Sequence, residues 1–283
     1  MSRNVRRHLL ALLALALLAS GARGQESDAL TRGDGASVPV RVYGTGGAAC
    51  RGVAILSPGA GGTEKGLSYI ARALAGDGWL SVVAGHRESG PSALRADLRG
   101  RGLKDALLRL TTDRSAYEAR SMDLGAALDW ARTRCASHYG VLVGHSMGAA
   151  TVMLEAGAEN KLGLGGKDRF DAYVAMSPQG PGSLFPEGAW RRIAKPMLML
   201  TGTRDGALEG DWSTRTVPYD EMPAGCKWLG VIDGAKHMDF GGRGRSRDVE
   251  SLTVRAAEAF LDSAASGGCG PLPEADGIAY RRK

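Results

Sequence analysis

The 283-residue chain is 43% apolar and 23% charged, which suits one globular domain with a large core. Its 42 glycines and few aromatics fit a fold with many strand-to-helix turns better than an all-helical one. The net charge of +6 includes four arginines in the first 24 residues; beyond them 32 basic residues face 30 acidic ones, which gives no general case for nucleic-acid binding.

The N-terminal segment has a basic start (Arg3, Arg6, Arg7), an unbroken apolar run from Leu9 to Ala19 and small residues through Gly24. This is the three-part pattern of a secretory leader, with cleavage expected near Ala19-Ser20-Gly21 or Ala22-Arg23-Gly24. The apolar run is well short of the roughly 20 residues that cross a bilayer, so no stable membrane anchor is expected. No cysteine follows it to carry a lipid. A secreted or periplasmic protein is the expectation, and in that setting Cys50, Cys135, Cys226 and Cys269 form an even set suited to disulfides. Cys50 and Cys135 each precede a strand-like run; if those strands are parallel neighbours the thiols share one sheet end. Cys226 would then pair with Cys269.

In chain order, residues 37–43 alternate apolar and polar and read as an edge strand entered by a turn at Asp34-Gly35. Residues 53–56 form a buried strand, and 64–75 a helix with Leu67, Ile70, Ala71 and Leu74 on one face. Residues 79–84 are the next strand, 117–134 a helix, 141–143 a strand and 147–156 a helix. Short buried strands follow at 172–176, 197–200 and 228–232, and 249–261 is a closing helix. Strands alternating with helices predict an α/β fold with a mostly parallel central sheet and helices on both faces. The domain is expected over residues 25–266, with 267–283 as a Gly/Pro-punctuated surface tail. Residues 87–115 are long, polar and basic, with a helix suggested by Leu103, Leu107, Leu108 and Leu110.

Gly144-His145-Ser146-Met147-Gly148 matches G-x-S-x-G, a weak signal by itself in so glycine-rich a chain. Its context strengthens it, because a strand-like run precedes it and a helical one follows. Ser146 thus falls on a strand-to-helix turn that projects the hydroxyl from the carboxyl edge of the sheet. A serine hydroxyl needs a neighbouring base. His8 lies in the leader, His145 sits inside the elbow where it packs or hydrogen-bonds, and His138 precedes its strand at the opposite sheet edge. His86 and His237 are left, and His237 lies in a loop just after a late strand. Asp205, after the strand at 197–200, can orient an imidazole, with Asp233 and Asp239 as alternatives too near His237 to be preferred. The order Ser146, Asp205, His237 is that of one class of serine hydrolases and not of the chymotrypsin or subtilisin arrangements. An oxyanion hole is expected from the Met147 N–H and from the loop Ser57-Pro58-Gly59-Ala60-Gly61-Gly62. Ala60 is preferred there, with Gly59 or Gly61 as alternatives. The loop lacks the Lys-Ser/Thr pair of a phosphate-binding loop.

These motifs, with Arg120-Ser121-Met122-Asp123 to Leu128-Asp129 and Thr201-Gly202-Thr203-Arg204-Asp205, make residues 50–262 resemble the α/β-hydrolases. The similarity is to platelet-activating-factor acetylhydrolases, dienelactone-hydrolase-like esterases and cutinase-like polyester hydrolases. It implies cofactor-free and metal-free hydrolysis of a small-molecule or polymeric ester through an acyl-enzyme, with Ser146, Asp205 and His237 catalytic and the Ala60 and Met147 amides as oxyanion hole. Dienelactone hydrolases use a cysteine where this elbow has Ser146, and the acetylhydrolases have His where this chain has Pro58. Rival readings are a peptidase or acyltransferase on the same scaffold, or a binding protein that retains the fold.

His86, heading the 87–115 segment, and Trp212, in the loop after Asp205, are expected at the substrate pocket, with that segment as a partial cover. Arg243, Arg245 and Arg247 form a solvated Gly/Arg loop or draw anionic substrates to the site mouth. Arg32-Gly33-Asp34 reads as part of a hairpin turn.

Overall fold

Continuous runs of buried, mostly apolar residues in β3 (Gly52–Ser57), β4 (Trp79–Ala84), β5 (Gly140–His145) and β6 (Ala172–Met176) leave no solvated face on the centre of the sheet. The computed structural model describes residues 26–244 and 246–283, so the leader at 1–24 and Arg245 lie outside the described residues. β1 (Glu26–Thr31), β2 (Ser37–Tyr43), β7 (Met197–Arg204), β8 (Lys227–Lys236) and β9 (Ile278–Arg282) complete one sheet, in the order β1-β2-β4-β3-β5-β6-β7-β8-β9. Strands β3 to β8 pair in parallel, and antiparallel strands close both ends.

Successive side chains of a strand point to opposite faces, and the two halves of the core follow that period. Val53 and Ile55 pack with Leu124 and Leu128 on one face, and Ala54 and Leu56 with Ile70 and Phe260 on the other. The helices are α1 (Ser68–Gly76), α2 (Pro91–Asp97), α3 (Leu103–Leu110), α4 (Arg114–Arg132), α5 (Met147–Glu155), α6 (Val217–Glu221), α7 (His237–Phe240) and α8 (Arg247–Ala265). α4 starts at Arg114 because the Asp113 carboxylate accepts from the Ser115 and Ala116 amides at 2.8 and 3.3 Å.

Both expected cysteine pairs are bridged, Cys50 with Cys135 and Cys226 with Cys269, each with Cα atoms 5.4 Å apart. Strands β3 and β5 are parallel neighbours, so Cys50 and Cys135 do meet at one sheet end. Two expectations are corrected at the edges. Residues 37–43 are not an edge strand, since β1 pairs outside them across the turn at Gly35, whose φ is 83°. Residues 267–283 do lie at the surface, but they are more than a tail: Leu272 is buried, and β9 pairs antiparallel with β8 from Trp228↔Arg282 to Ile232↔Ile278. β9 thus covers backbone that β8 would otherwise leave unpaired.

Candidate active site

Ser146 sits between β5 and α5 with φ 57° and ψ −119°, a conformation that a side chain adopts only when its surroundings hold it there. The flanking glycines are what permit the turn. A Cβ on Gly144 would collide with the Gly148 carbonyl, and a Cβ on Gly148 with the Ser57 carbonyl. The Met147 amide, at the first position of α5, lies beside the serine, with Met147 itself buried.

Three strand ends bring the predicted trio together. Ser146 follows β5, Asp205 follows β7, and His237 follows β8 at the start of α7. His237 Nε2 lies 2.9 Å from Ser146 Oγ, and His237 Nδ1 lies 2.9 Å from Asp205 Oδ1. Asp205 is fully buried, and the Thr201 hydroxyl donates to its Oδ2 at 3.0 Å. Burial would raise the Asp205 carboxyl, but the hydrogen bond with His237 and the charge of Arg215 outweigh it and hold the group below the usual carboxylate range.

Arg215 was not legible as a site residue. Buried under the trio, it sets Nε 3.0 Å from Asp205 Oδ1 and donates to the carbonyls of Asp205, Ser177, Pro178 and Gly206, each at 2.9 Å. Its Nη2 also approaches His237 Nδ1 to 3.1 Å, slightly farther than the carboxylate. His145 packs and hydrogen-bonds, as the sequence suggested: burial pushes its imidazole down to about 3, and its Nε2 lies 2.9 Å from the His237 carbonyl. A neutral ring donates there, which ties the histidine loop to the elbow.

A cavity of about 270 Å³ opens onto Ser146 and His237. Pro58, Gly59 and Ala60 form one wall, and Leu107, Leu184, Leu208 and Met238 supply apolar surface. Leu107 comes from α3, so the 87–115 segment contributes to the wall, as expected of a partial cover. Of the alternative oxyanion donors, the Gly61 N–H is committed to the Ser89 carbonyl at 2.8 Å. Arg243 lines the cavity mouth.

His86 and Trp212 are corrections, since neither is among the residues that line the cavity. The His86 side chain is only 2% exposed, and it turns inward to Asp123 Oδ2 at 2.8 Å and Ser57 Oγ at 2.9 Å. Burial pushes its imidazole down to about 4, so the ring is neutral near pH 7. Asp123 can only accept, which places the proton on Nδ1 and makes Nε2 the acceptor of the Ser57 hydroxyl. Ser57, His86 and Asp123 thus repeat the serine–histidine–carboxylate pattern in the core, with Ser57 fully buried and lining no part of the cavity. Arg32 ties Asp123 Oδ1 and Glu88 Oε1 at 3.0 and 2.6 Å, a buried role that leaves no exposed adhesion tripeptide. Arg120, also buried, donates to Ser57 Oγ at 3.1 Å, Ser89 Oγ at 2.8 Å and the Pro58 carbonyl at 2.9 Å. This network underpins the loop that carries Ala60.

Residues 54–272 match the model of the alpha/beta hydrolase family. The chain belongs to that family. Among solved structures it is similar to a dienelactone hydrolase from Anabaena variabilis, at 16% identity over 84% of this chain and 97% of that one, with a TM-score of 0.59. It is also similar to an alpha-beta serine hydrolase homologue from Coxiella burnetii, at 19% identity over 81% and 96% of the two chains, with a TM-score of 0.58. At such identities the likeness speaks for the fold alone. No curated protein matches the sequence. The alpha/beta hydrolase fold has a mostly parallel sheet flanked by helices, as found here.

Proposed function

We propose that this hydrolase is an exported serine esterase that cleaves carboxylic esters through an acyl-enzyme. The observation that carries the reading is the chain of two 2.9 Å contacts from Ser146 through His237 to Asp205, at the mouth of a largely apolar cavity. With Nδ1–H directed at Asp205, His237 Nε2 accepts the Ser146 proton as Oγ attacks the ester carbonyl. Asp205 stabilises the imidazolium, and the Ala60 and Met147 amides hold the oxyanion, each contributing about 3 kcal/mol to the transition state. His237 then protonates the departing alcohol, and water, activated by the same nitrogen, releases the acid.

The basic and apolar N-terminal segment and the two disulfides support export. Among the described residues no helix is long and apolar enough to cross a membrane. A fluorophosphonate probe tests the nucleophile. The adduct is expected on the peptide holding Ser146 and absent in Ser146→Ala; an adduct on another serine contradicts the assignment. Paired p-nitrophenyl ester and p-nitroanilide substrates separate an esterase from a peptidase.

A further inference from the structure

One guanidinium spans the ends of three neighbouring strands. Arg215 lies in the short turn at Trp212–Thr216 and is buried. Its Nη1 donates to the carbonyls of Ser177 and Pro178, just past β6, at 2.9 Å each. Its Nε and Nη2 donate to the carbonyls of Asp205 and Gly206, just past β7, again at 2.9 Å. Nη2 also comes within 3.1 Å of His237 Nδ1, just past β8. Strands β6, β7 and β8 are adjacent in the sheet, so one side chain ties together the loops from which two members of the trio project.

The tie bears directly on the carboxylate. Arg215 Nε lies 3.0 Å from Asp205 Oδ1, the same oxygen that faces His237 Nδ1 at 2.9 Å. The Thr201 hydroxyl holds the other oxygen at 3.0 Å. Oδ1 is therefore set between two donors, while the nitrogen that approaches it also grips the backbone carbonyl of the same residue. A purely mechanical brace between carbonyls has no need of a charge, and a buried cation is costly unless it is compensated. Here burial disfavours the guanidinium and the charge of Asp205 opposes that penalty. Five N–H donors in a rigid fork suit this set of acceptors, and the single ammonium of a lysine does not.

We infer that Arg215 is a positioning residue for the hydrolysis: it fixes Asp205 Oδ1 against His237 Nδ1, so that Nε2 stays aimed at Ser146. Misplacement of a catalytic group by about 1 Å costs on the order of 100-fold in rate, which sets the scale of the effect. The inference rests on the esterase reading and deepens it by naming what holds the trio in register.

The test measures kcat for p-nitrophenyl butanoate in the wild type, Arg215→Ala, Arg215→Met and Arg215→Lys, with the melting midpoint of each. Arg215 lines the cavity, so its truncation to alanine opens a space that a small solute can enter. Arg215→Ala is expected to lose about 100-fold in kcat. Millimolar guanidinium chloride, far below the molar range in which it unfolds proteins, is expected to restore about tenfold of that loss or more. Equal concentrations of sodium chloride or urea restore none of it. Arg215→Met fills the space and is not rescued, and Arg215→Lys falls between the alanine variant and the wild type. Loss of activity in Arg215→Ala without rescue assigns Arg215 to packing and overturns the inference, as does a kcat within about threefold of the wild type. If Arg215→Ala does not fold, Arg215→Lys decides: a drop of about tenfold or more at an unchanged midpoint supports the inference, and a smaller one overturns it. All these outcomes leave the esterase reading intact; no turnover by the wild type overturns that reading, and this inference with it.

Discussion

Arg120 donates to the carbonyl of Pro58 at 2.9 Å from a fully buried position, two residues from the amide expected to hold an oxyanion. Among the described residues no carboxylate is hydrogen-bonded to its guanidinium; its hydrogen bonds go to Ser57, Ser89 and this carbonyl. Burial pushes the group down to about 10, which still leaves it charged at neutral pH.

Removing that anchor should loosen the Ala60 amide more than it disturbs the cavity walls. Arg120→Met is expected to lower kcat by about 10- to 100-fold, short of the full loss of an oxyanion donor, while KM changes by less than about threefold. Arg120→Lys, which can reach only part of the network, should fall between. Steady-state kinetics on one p-nitrophenyl ester measures this; equal losses in kcat and 1/KM would assign Arg120 to packing alone.

Asp205 accepts from Thr201 and faces both His237 and Arg215. Asp205→Asn leaves the shape of the site but removes the charge and the obligatory acceptor, and it lets His237 Nδ1 act as acceptor toward the Arg215 guanidinium. In that tautomer Nε2 carries a proton and cannot deprotonate Ser146. A drop in kcat on the order of 10⁴ is expected. Stopped-flow or endpoint turnover reads it directly, and a loss under tenfold would point to another carboxylate as orienter.

Acid should destabilise the fold through its two buried imidazoles. His86 and His145 are pushed down to about 4 and about 3 by burial, whereas both would titrate near 6.5 in the unfolded chain. Between those values the unfolded chain binds protons that the native state does not. Stability from these groups is thus fully present above about pH 6.5 and is lost progressively as pH falls toward 4. The melting midpoint is expected to drop between pH 7 and pH 5, and less steeply in His86→Gln than in the wild type. A flat midpoint over that range would mean that neither ring stays neutral in the native state.

The order of the trio was legible because each member follows a buried strand, and in a parallel sheet consecutive strands end on the same side. Ser146, Asp205 and His237 could therefore be placed together without any contact being known. Arg215 and Arg120 could not. Their partners are largely backbone carbonyls and residues brought close by folding, such as Pro58, 62 positions before Arg120. His86 follows β4 at the same sheet edge, which is why it was expected at the pocket; the carboxylate of Asp123, reached through tertiary packing on α4, draws its ring into the core instead. Trp212 lies in the segment after Asp205 but outside the cavity lining. β1 is not legible in the sequence because its side chains are mostly exposed and carry no alternation, nor is β9, because glycine and proline precede it.

The most direct test of the account is the acyl-enzyme itself. Mixing the protein with excess p-nitrophenyl butanoate and quenching in acid within milliseconds to seconds should give a burst of nitrophenolate. A mass increase of one butanoyl group should appear on the peptide that contains Ser146. Ser146→Ala should show neither burst nor adduct. An adduct on a different residue, or steady turnover in Ser146→Ala at the wild-type rate, would contradict the assignment of Ser146 as nucleophile.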